Sequence, residues 1–350
     1  MNQRFGIRLL LAGCTLFAGC TSTVQFGSRL GNCTQPAGAE YALLSLQTDP
    51  RVAYDPCGNE IGEYHTIPSW ADIWDVSGSA EQVLIGHLSE SGPKLGLYDS
   101  TGRLVLAAGR TTPLALELRL SPDHRHLAAS GTFGLQNPPP GYRPPVQGAW
   151  AGVFVRRPDE FVWRTLLSAP VDPSHTLPIS WAPTSDALVT TLGANVVEVW
   201  LNDGHRKVLG EGCCAKWSPD GKQIAYLNGK GELVLREVST GADRRPLPGQ
   251  KVLGPCIEWS PDMRFLSLCF PPDRQPDPNR YISYIGVLDI QKGTSHPFRL
   301  RFFWHRWVWG YSPSFRWLRM GRGGAKPVFD LLNQLSAQSR RSQSARGTPR

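Results

Sequence analysis

The chain has 350 residues and a formal net charge of +8, and only 19% of its residues are charged. It contains 36 Gly, 30 Pro and 12 Trp, a composition that favours short strands and turns over helices. Long helical periodicity is missing from most of the sequence, which argues against an all-helical protein and predicts an all-β repeat architecture.

The first residues have the pattern of a secretory signal. Arg4 and Arg8 precede a short apolar run, residues 9–18, which is too short to span a bilayer as a stable helix. The Ala-Gly-Cys ending at Cys20 resembles the lipobox of bacterial lipoproteins, in which the cysteine becomes the lipidated first residue. The segment ending at Cys14 matches the lipobox better locally, but cleavage there would leave too short an apolar run. We therefore predict lipidation at Cys20.

Residues 1–19 are accordingly predicted to be a lipoprotein signal peptide, and residues 20–39 a tether. Thr21 stands where an aspartate would indicate retention in the inner membrane. By resemblance to such lipoproteins, the predicted location is the periplasmic face of the outer membrane, with the membrane contacted through the lipid. A soluble periplasmic protein is the alternative.

The remaining cysteines agree with export, because an even number in an oxidising compartment predicts disulfides. These six are Cys33, Cys57, Cys213, Cys214, Cys256 and Cys269. If Ser260 pairs with Phe265 across a turn, Cys256 falls opposite Cys269 at a distance that a disulfide can bridge. Cys33–Cys57 is predicted from proximity alone. Cys213 and Cys214 stay unassigned, since no CxxC or histidine spacing supports a metal site at this pair.

After a possible strand at Glu40–Gln47, a strand–turn–strand pattern recurs along the chain. Its clearest copy is Ala215–Leu227, AKWSPDGKQIAYL. Pro219 presets φ for the turn, Asp220 can cap backbone N–H groups and Gly221 accepts a positive φ. The other copies begin, in chain order, at Ile73, Leu118, Ile179, Ile257 and Trp309. Several copies are followed by a second hairpin, so each unit contains about four strands; a repeat of roughly 40 residues of this kind is typical of a propeller.

The recurring W-S-P-D-G hairpin and the following Asp-x-x-Gly hairpin resemble the WD-like propeller repeat of TolB-type periplasmic proteins. The resemblance covers Ile73 to Met320, and it implies a β-propeller of six four-stranded blades, within a range of five to seven. We predict the propeller over residues 40–334 and a disordered basic tail over 335–350. Closure is predicted through Tyr41–Leu46 as a strand of the last blade, while Pro327–Gln338 is alternatively a short terminal helix.

The repeat residues are predicted to be structural. Trp181, Trp217 and Trp259 should pack between blades, and Asp220 and Asp262 should fix turns. Function is therefore expected where the repeat is interrupted.

Two proline-rich loops interrupt the repeat, Gln136–Gln147 and Pro271–Arg280. Both are predicted between the second and third strands of their blades, which in a six-bladed propeller would bring them to opposite sides of one channel mouth. Loops on a rigid scaffold commonly carry binding residues, although such loops are more often merely solvated. The candidate binding residues here are Tyr142, Arg143, Asp273, Arg274, Arg280 and Tyr281.

A basic and aromatic segment, Pro297–Met320, is the second candidate region for function. Aromatic and basic residues together can bind nucleic acid, but an exported lipoprotein rarely meets it, so we predict no nucleic-acid partner. Alternation of apolar and basic residues fits a strand at a sheet edge with one buried face. A surface that contacts anionic lipid, envelope glycan or an acidic partner is the functional interpretation, with Arg306 and Arg316 as candidates.

Enzyme signatures are weak. The sequence has no G-x-S-x-G motif, and Gly321–Lys326 lacks the spacing of a phosphate-binding loop. His124 and His126 lie in a repeat turn without further ligands. We predict no catalytic residue, metal or cofactor, and a non-enzymatic binding or scaffold protein of the cell envelope whose partner is an envelope protein or another envelope component. The alternative is a propeller hydrolase or lyase with its site at the channel mouth.

Overall fold

The structure is a computed structural model, and it describes residues 41–45, 51–64, 71–76, 82–89, 92–99, 104–110, 115–133, 150–157, 163–170, 178–270, 284–299 and 315–319. Within these ranges the chain forms 24 strands and no helix. The strands make six four-stranded antiparallel sheets. The chain is therefore all-β, as its composition predicted. The signal peptide, the tether, the basic tail and the alternative helix at Pro327–Gln338 lie outside the described residues.

The first three strands belong to the last sheet. They are β1 (Tyr41–Ser45), β2 (Arg51–Tyr54) and β3 (Glu60–Tyr64). Sheets I to III then follow in chain order, and each is built from four consecutive strands. Sheet I contains β4 (Ala71–Val76), β5 (Gln82–Ser89), β6 (Gly92–Asp99) and β7 (Leu104–Arg110). Sheet II contains β8 (Ala115–Leu120), β9 (Leu127–Phe133), β10 (Trp150–Arg156) and β11 (Arg164–Pro170). Sheet III contains β12 (Ser180–Trp181), β13 (Ala187–Leu192), β14 (Asn195–Trp200) and β15 (Arg206–Glu211).

Sheets IV and V repeat this plan, and sheet VI joins the two ends of the described chain. Sheet IV contains β16 (Cys213–Trp217), β17 (Gln223–Leu227), β18 (Leu233–Glu237) and β19 (Asp243–Arg244). Sheet V contains β20 (Leu253–Trp259), β21 (Phe265–Phe270), β22 (Tyr284–Asp289) and β23 (Thr294–Arg299). Sheet VI has the strand order β24-β1-β2-β3, in which β24 is Phe315–Arg319.

In sheets II, IV and V, a serine and an aspartate hold the turn between the first two strands. In sheet IV, Asp220 Oδ1 accepts hydrogen bonds from the Ser218 hydroxyl (2.7 Å) and the Lys222 N–H (3.0 Å). Ser218 Oγ in turn accepts one from the Gln223 N–H (2.9 Å). The same bonds recur at Ser121 and Asp123 in sheet II and at Ser260 and Asp262 in sheet V. The predicted role of Asp220 and Asp262 in fixing turns is confirmed.

One edge strand of each sheet lies beside the corresponding strand of a neighbouring sheet, and we call these six strands the inner strands. They are β4, β8, β12, β16, β20 and β24. Contacts join β4 to β8, β12 to β16, β16 to β20 and β20 to β24. Trp181 of β12 donates a hydrogen bond to the Arg119 carbonyl of β8, and Ile179, the residue before β12, donates one to the Glu117 carboxylate.

The apolar core lies between neighbouring sheets. Trp181 packs in the cluster between sheets II and III, Trp217 in that between III and IV, and Trp259 in that between IV and V. The predicted packing of these residues between units is confirmed. Trp317 occupies the same position between sheets V and VI. The largely apolar sheets thus bury their faces by stacking on their neighbours.

The indole N–H groups tie one inner strand to the next. Trp181 Nε1 donates to the Arg119 carbonyl (3.2 Å) and Trp259 Nε1 to the Lys216 carbonyl (3.2 Å). Trp317 Nε1 donates to the Glu258 carbonyl (3.0 Å). Each of these three bonds gives a buried indole N–H an acceptor and sets how adjacent inner strands align with each other.

Sheet VI joins the ends of the described chain. β1 pairs with β24 in antiparallel register, with Leu43 opposite Trp317. Both side chains are buried. Closure by the predicted strand at Tyr41–Leu46 is therefore confirmed over Tyr41–Ser45.

The position predicted for Cys256 is wrong. The pairing register predicted for the hairpin holds at Glu258–Ser267 and Trp259–Leu266, but an irregularity follows toward the start of β20. Because of it, Leu253 rather than Cys256 lies opposite Cys269. Extra residues in one strand shift all pairings beyond them, and the sequence pattern gave no sign of this bulge.

Candidate functional site

Charged side chains concentrate on the inner strands, one residue before the tryptophan position. Strand residues alternate between two faces, so Leu118, Ile179, Ala215 and Ile257 point into the core between sheets and are fully buried. The residues that follow them in sequence are Arg119, Ser180, Lys216 and Glu258. The inner strands therefore present a polar row beside the apolar one.

Glu117 is the centre of this polar row. Its carboxylate forms an ion pair with Arg119 on the same strand and lies 3.5 Å from Lys216 Nζ on β16. Its Oε2 accepts a hydrogen bond from the N–H of Ile179, the residue before β12 (3.0 Å), and Lys216 Nζ donates to the Ile179 carbonyl (3.1 Å). We call Glu117, Arg119 and Lys216 the inner-strand cluster. It joins the inner strands of sheets II, III and IV.

The electrostatics of the cluster keep Glu117 ionised. Burial acts to raise the pKa of Glu117, but the charges of Arg119 and Lys216 and the Ile179 N–H outweigh burial, and the pKa lies below its ordinary value. The side chains of Arg119 and Lys216 are only 7% and 6% exposed, against 15% for Glu117. Buried charges of this kind are stable only when they are paired and hydrogen-bonded.

A second ion pair links the inner strands of sheets V and VI. Arg316 Nη1 lies 2.8 Å from Glu258 Oε2. Arg316 is one of the residues that the sequence proposed for binding, and its guanidinium is engaged within the protein with a side-chain exposure of 10%. A role for Arg316 in binding stays a prediction.

The other binding candidates lie outside the described residues. They are Tyr142, Arg143, Asp273, Arg274, Arg280, Tyr281 and Arg306. The strands that flank the two proline loops are described, and they place Gln136–Gln147 between β9 and β10 and Pro271–Arg280 between β21 and β22. Each loop thus connects the second and third strands of its sheet, as the sequence predicted.

The cysteines fall into two classes. Cys57 and Cys269 are each disulfide-bonded, whereas Cys213 and Cys214 are free thiols. Cys20 and Cys33 lie outside the described residues, and only the backbone of Cys256 is described. Lipidation at Cys20 and the pairings Cys33–Cys57 and Cys256–Cys269 therefore stay predictions.

Sequence reasoning missed the inner-strand cluster. Glu117 and Lys216 are 99 residues apart, and nothing near either residue marks the other as its partner. A usable signal did exist, because a charged residue directly before the tryptophan of a buried strand needs a counter-charge.

Comparison with solved structures places this arrangement in a known fold. TolB from Acinetobacter baumannii matches with a TM-score of 0.53 and 12% identity, over 79% of this chain and 66% of that one. A chain of a nidogen/laminin complex matches with a TM-score of 0.50 and 12% identity, over 79% of this chain and 98% of that one. The chain is a β-propeller. Neither a protein-family model nor a curated protein matches the sequence.

In a propeller the first strand of each blade lines the central channel. The inner strands of this chain correspond to those first strands.

The chain spans less than two thirds of the length of the Acinetobacter TolB. Among the described residues, no helix has the length and apolar character to cross a bilayer. The same residues contain no group of three or more His, Cys, Asp or Glu side chains arranged to hold a metal ion.

Proposed function

We propose that this β-propeller is a lipid-anchored protein on the periplasmic side of the bacterial outer membrane, and that it binds a protein or another envelope component without catalysing a reaction. The export signal, the Ala-Gly-Cys sequence ending at Cys20 and the six cysteines that follow support the location. Six described four-stranded sheets support a six-bladed propeller.

The observation that supports a binding function rather than catalysis is that the charged side chains of the inner strands are paired with one another. Glu117 is paired with Arg119 and Lys216, and Glu258 with Arg316. A general acid or base needs a pKa near the working pH, whereas the pKa of Glu117 is lowered away from neutrality. These ion pairs connect neighbouring blades and stabilise the propeller. They therefore support a rigid scaffold whose recognition residues lie in its loops.

The two proline loops are the proposed contact surface. Both follow the second strand of a blade, so in a four-stranded antiparallel meander they emerge at the same end of the propeller. Proline limits the conformations of a loop before binding and lowers the entropy lost on association. Tyr142, Arg143 and Arg280 are suited to recognition, because Tyr and Arg dominate protein interfaces. The matched chain from the nidogen/laminin complex also comes from a protein–protein assembly.

The binding proposal is tested by cross-linking and co-purification from membranes. In one variant Gln136–Gln147 is replaced by a glycine–serine linker of equal length, and in a second Pro271–Arg280 is replaced. We expect both variants to lose partners that the unmodified protein retains. The control replaces the exposed turn at residues 239–241, which lies between the third and fourth strands and hence at the other end of the blade. Unchanged partners in both loop variants would contradict the proposal.

The anchor is tested separately. Cys20→Ala should release the protein from membranes, whereas Cys14→Ala should leave it there. A Cys20→Ala protein that stays with the membrane fraction, or release by Cys14→Ala instead, would rule out lipidation at Cys20.

A further inference from the structure

Cys213 and Cys214 bring two thiols together at the start of the inner strand β16. Their sulfur atoms are 3.1 Å apart. Adjacent residues of a regular strand point to opposite faces, which would separate the sulfurs. Here the register shifts between Cys213 and Lys216, and Cys214 has a positive φ of 62°. This bulge turns both side chains to the same side of the strand.

The two thiols are not equivalent. Cys213 is half-buried, whereas Cys214 is 9% exposed. The Cys214 thiol donates a hydrogen bond to the Cys213 sulfur, which lowers the pKa of Cys213 and raises the pKa of Cys214. The Cys214 N–H is held by Thr191 Oγ1 of sheet III (3.2 Å). Cys213 is thus the accessible nucleophile, and Cys214 is the thiol held next to it.

We propose that Cys213 and Cys214 form a redox dithiol that is reversibly oxidised to a vicinal disulfide by exchange with a disulfide compound. This inference goes beyond the proposed function and does not depend on it. It assigns a modification site to a cysteine pair that no structural disulfide uses.

The exchange proceeds in two balanced steps. The Cys213 thiolate attacks one sulfur of the donor disulfide, the donor S–S bond breaks, and a thiolate leaves and takes up a proton. Cys214 then loses its proton and attacks the Cys213 sulfur of the mixed disulfide, which expels the second donor thiolate. Two cysteine thiols are oxidised, and one donor disulfide is reduced to two thiols.

A disulfide between these neighbours should also be easy to reduce. Consecutive Cα atoms are about 3.8 Å apart across a trans peptide, which is closer than the roughly 4.4–6.8 Å of ordinary disulfides. Departures from preferred geometry store strain and make the bond more reducible. The vicinal disulfide should therefore open under mild reduction that leaves the disulfides of Cys57 and Cys269 intact.

The test uses the full purified chain, mildly reduced, freed of reductant and then exposed to oxidised glutathione. After quenching with acid, unfolding and alkylation, trypsin releases Val208–Lys216, which contains both cysteines and no other. We expect this peptide to be two hydrogen atoms lighter and free of alkyl groups, and to gain two alkyl groups after mild reduction. Two alkyl groups despite the oxidant, or a bond to any other cysteine, would overturn the proposal.

Single substitutions test the order of attack. With Cys214→Ser, Cys213 should be trapped as a stable mixed disulfide with glutathione. With Cys213→Ser, the buried Cys214 should react at least roughly tenfold more slowly under native conditions. Equal rates would refute the assigned order. The peptide mass of the unsubstituted chain decides the proposal even if one variant fails to fold.

Discussion

At the scale of single residues, one turn position of the repeat accepts residues other than glycine although its φ is positive. Gly221 has a φ of 72°, as the W-S-P-D-G motif predicts. The same position is His124, Ser185 and Met263 in other sheets, with φ between 60° and 64°. Residues with a Cβ are strained in this region by about 1–2 kcal/mol. At His124 and Met263, the serine and aspartate hydrogen bonds of the turn hold this conformation.

Met263 allows this strain to be measured. Met263→Gly and Met263→Ala both remove the exposed side chain, so we expect the glycine variant to be more stable than the alanine variant by about 1 kcal/mol. The measurement is the free energy of unfolding in urea. Val208, which is exposed and lies within a strand, is the matched control. There the order should reverse, with glycine less stable than alanine by roughly 0.5–1 kcal/mol. The same order at both positions would contradict strain at Met263.

At the scale of elements, the tryptophans of four inner strands, β12, β16, β20 and β24, connect neighbouring sheets. The Nε1 atom of Trp259 donates to the Lys216 carbonyl (3.2 Å). The Nε1 atom of Trp217 is buried, and among the contacts of the described residues it has no hydrogen-bond partner. The two side chains are similarly buried, at 6% and 9% exposure. They differ mainly in that one bond.

This pair predicts unequal costs for the same substitution. Trp259→Phe and Trp217→Phe remove similar ring area, but only the first removes a hydrogen bond, the one that the indole donates to the Lys216 carbonyl. We expect Trp259→Phe to lower the free energy of unfolding by about 1–2 kcal/mol more than Trp217→Phe. Chemical denaturation of both variants checks this difference. Equal costs would mean that the indole hydrogen bond adds nothing to stability.

The elements also show how far sequence reasoning reaches. Trp217, Asp220 and Gly221 were predictable because they belong to a short motif that recurs along the chain. The bulge that moves Cys256 out of register was not, because a β-bulge inserts residues without changing the apolar pattern on either side. Glu117 and Lys216 meet only through the stacking of three blades.

At the scale of the whole molecule, stability depends on joining units that cannot be stable alone. The pairing of β1 with β24 joins the two ends of the described chain, and the clusters between sheets bury the faces of the blades. The inner-strand cluster adds a polar connection across sheets II, III and IV. Removing one partner of a buried ion pair leaves the other charge uncompensated, at a cost of about 3–5 kcal/mol.

The stability of the propeller should therefore depend on Glu117 and on pH. At pH 7, Glu117→Gln should lower the free energy of unfolding by about 3 kcal/mol. Since the pKa of Glu117 is lowered in the folded state, its ionised form stabilises the fold above the ordinary value of 4.5, and this contribution is lost as pH falls through the lowered pKa. The difference between the two proteins in urea denaturation should accordingly shrink in acid.

Lys216→Met supplies the control, because it removes the ammonium that faces Glu117. The double variant with Glu117→Gln should cost less than the two single substitutions added together, since Glu117→Gln alone leaves the buried Lys216 without its counter-charge and the double variant has no Lys216 charge to compensate. Additive costs, or a Glu117→Gln penalty that is the same in acid as at pH 7, would show that the carboxylate does not brace the inner strands electrostatically. Sub-additive costs that fade in acid would instead identify the cluster as a structural connection between three blades, which leaves recognition to the loops.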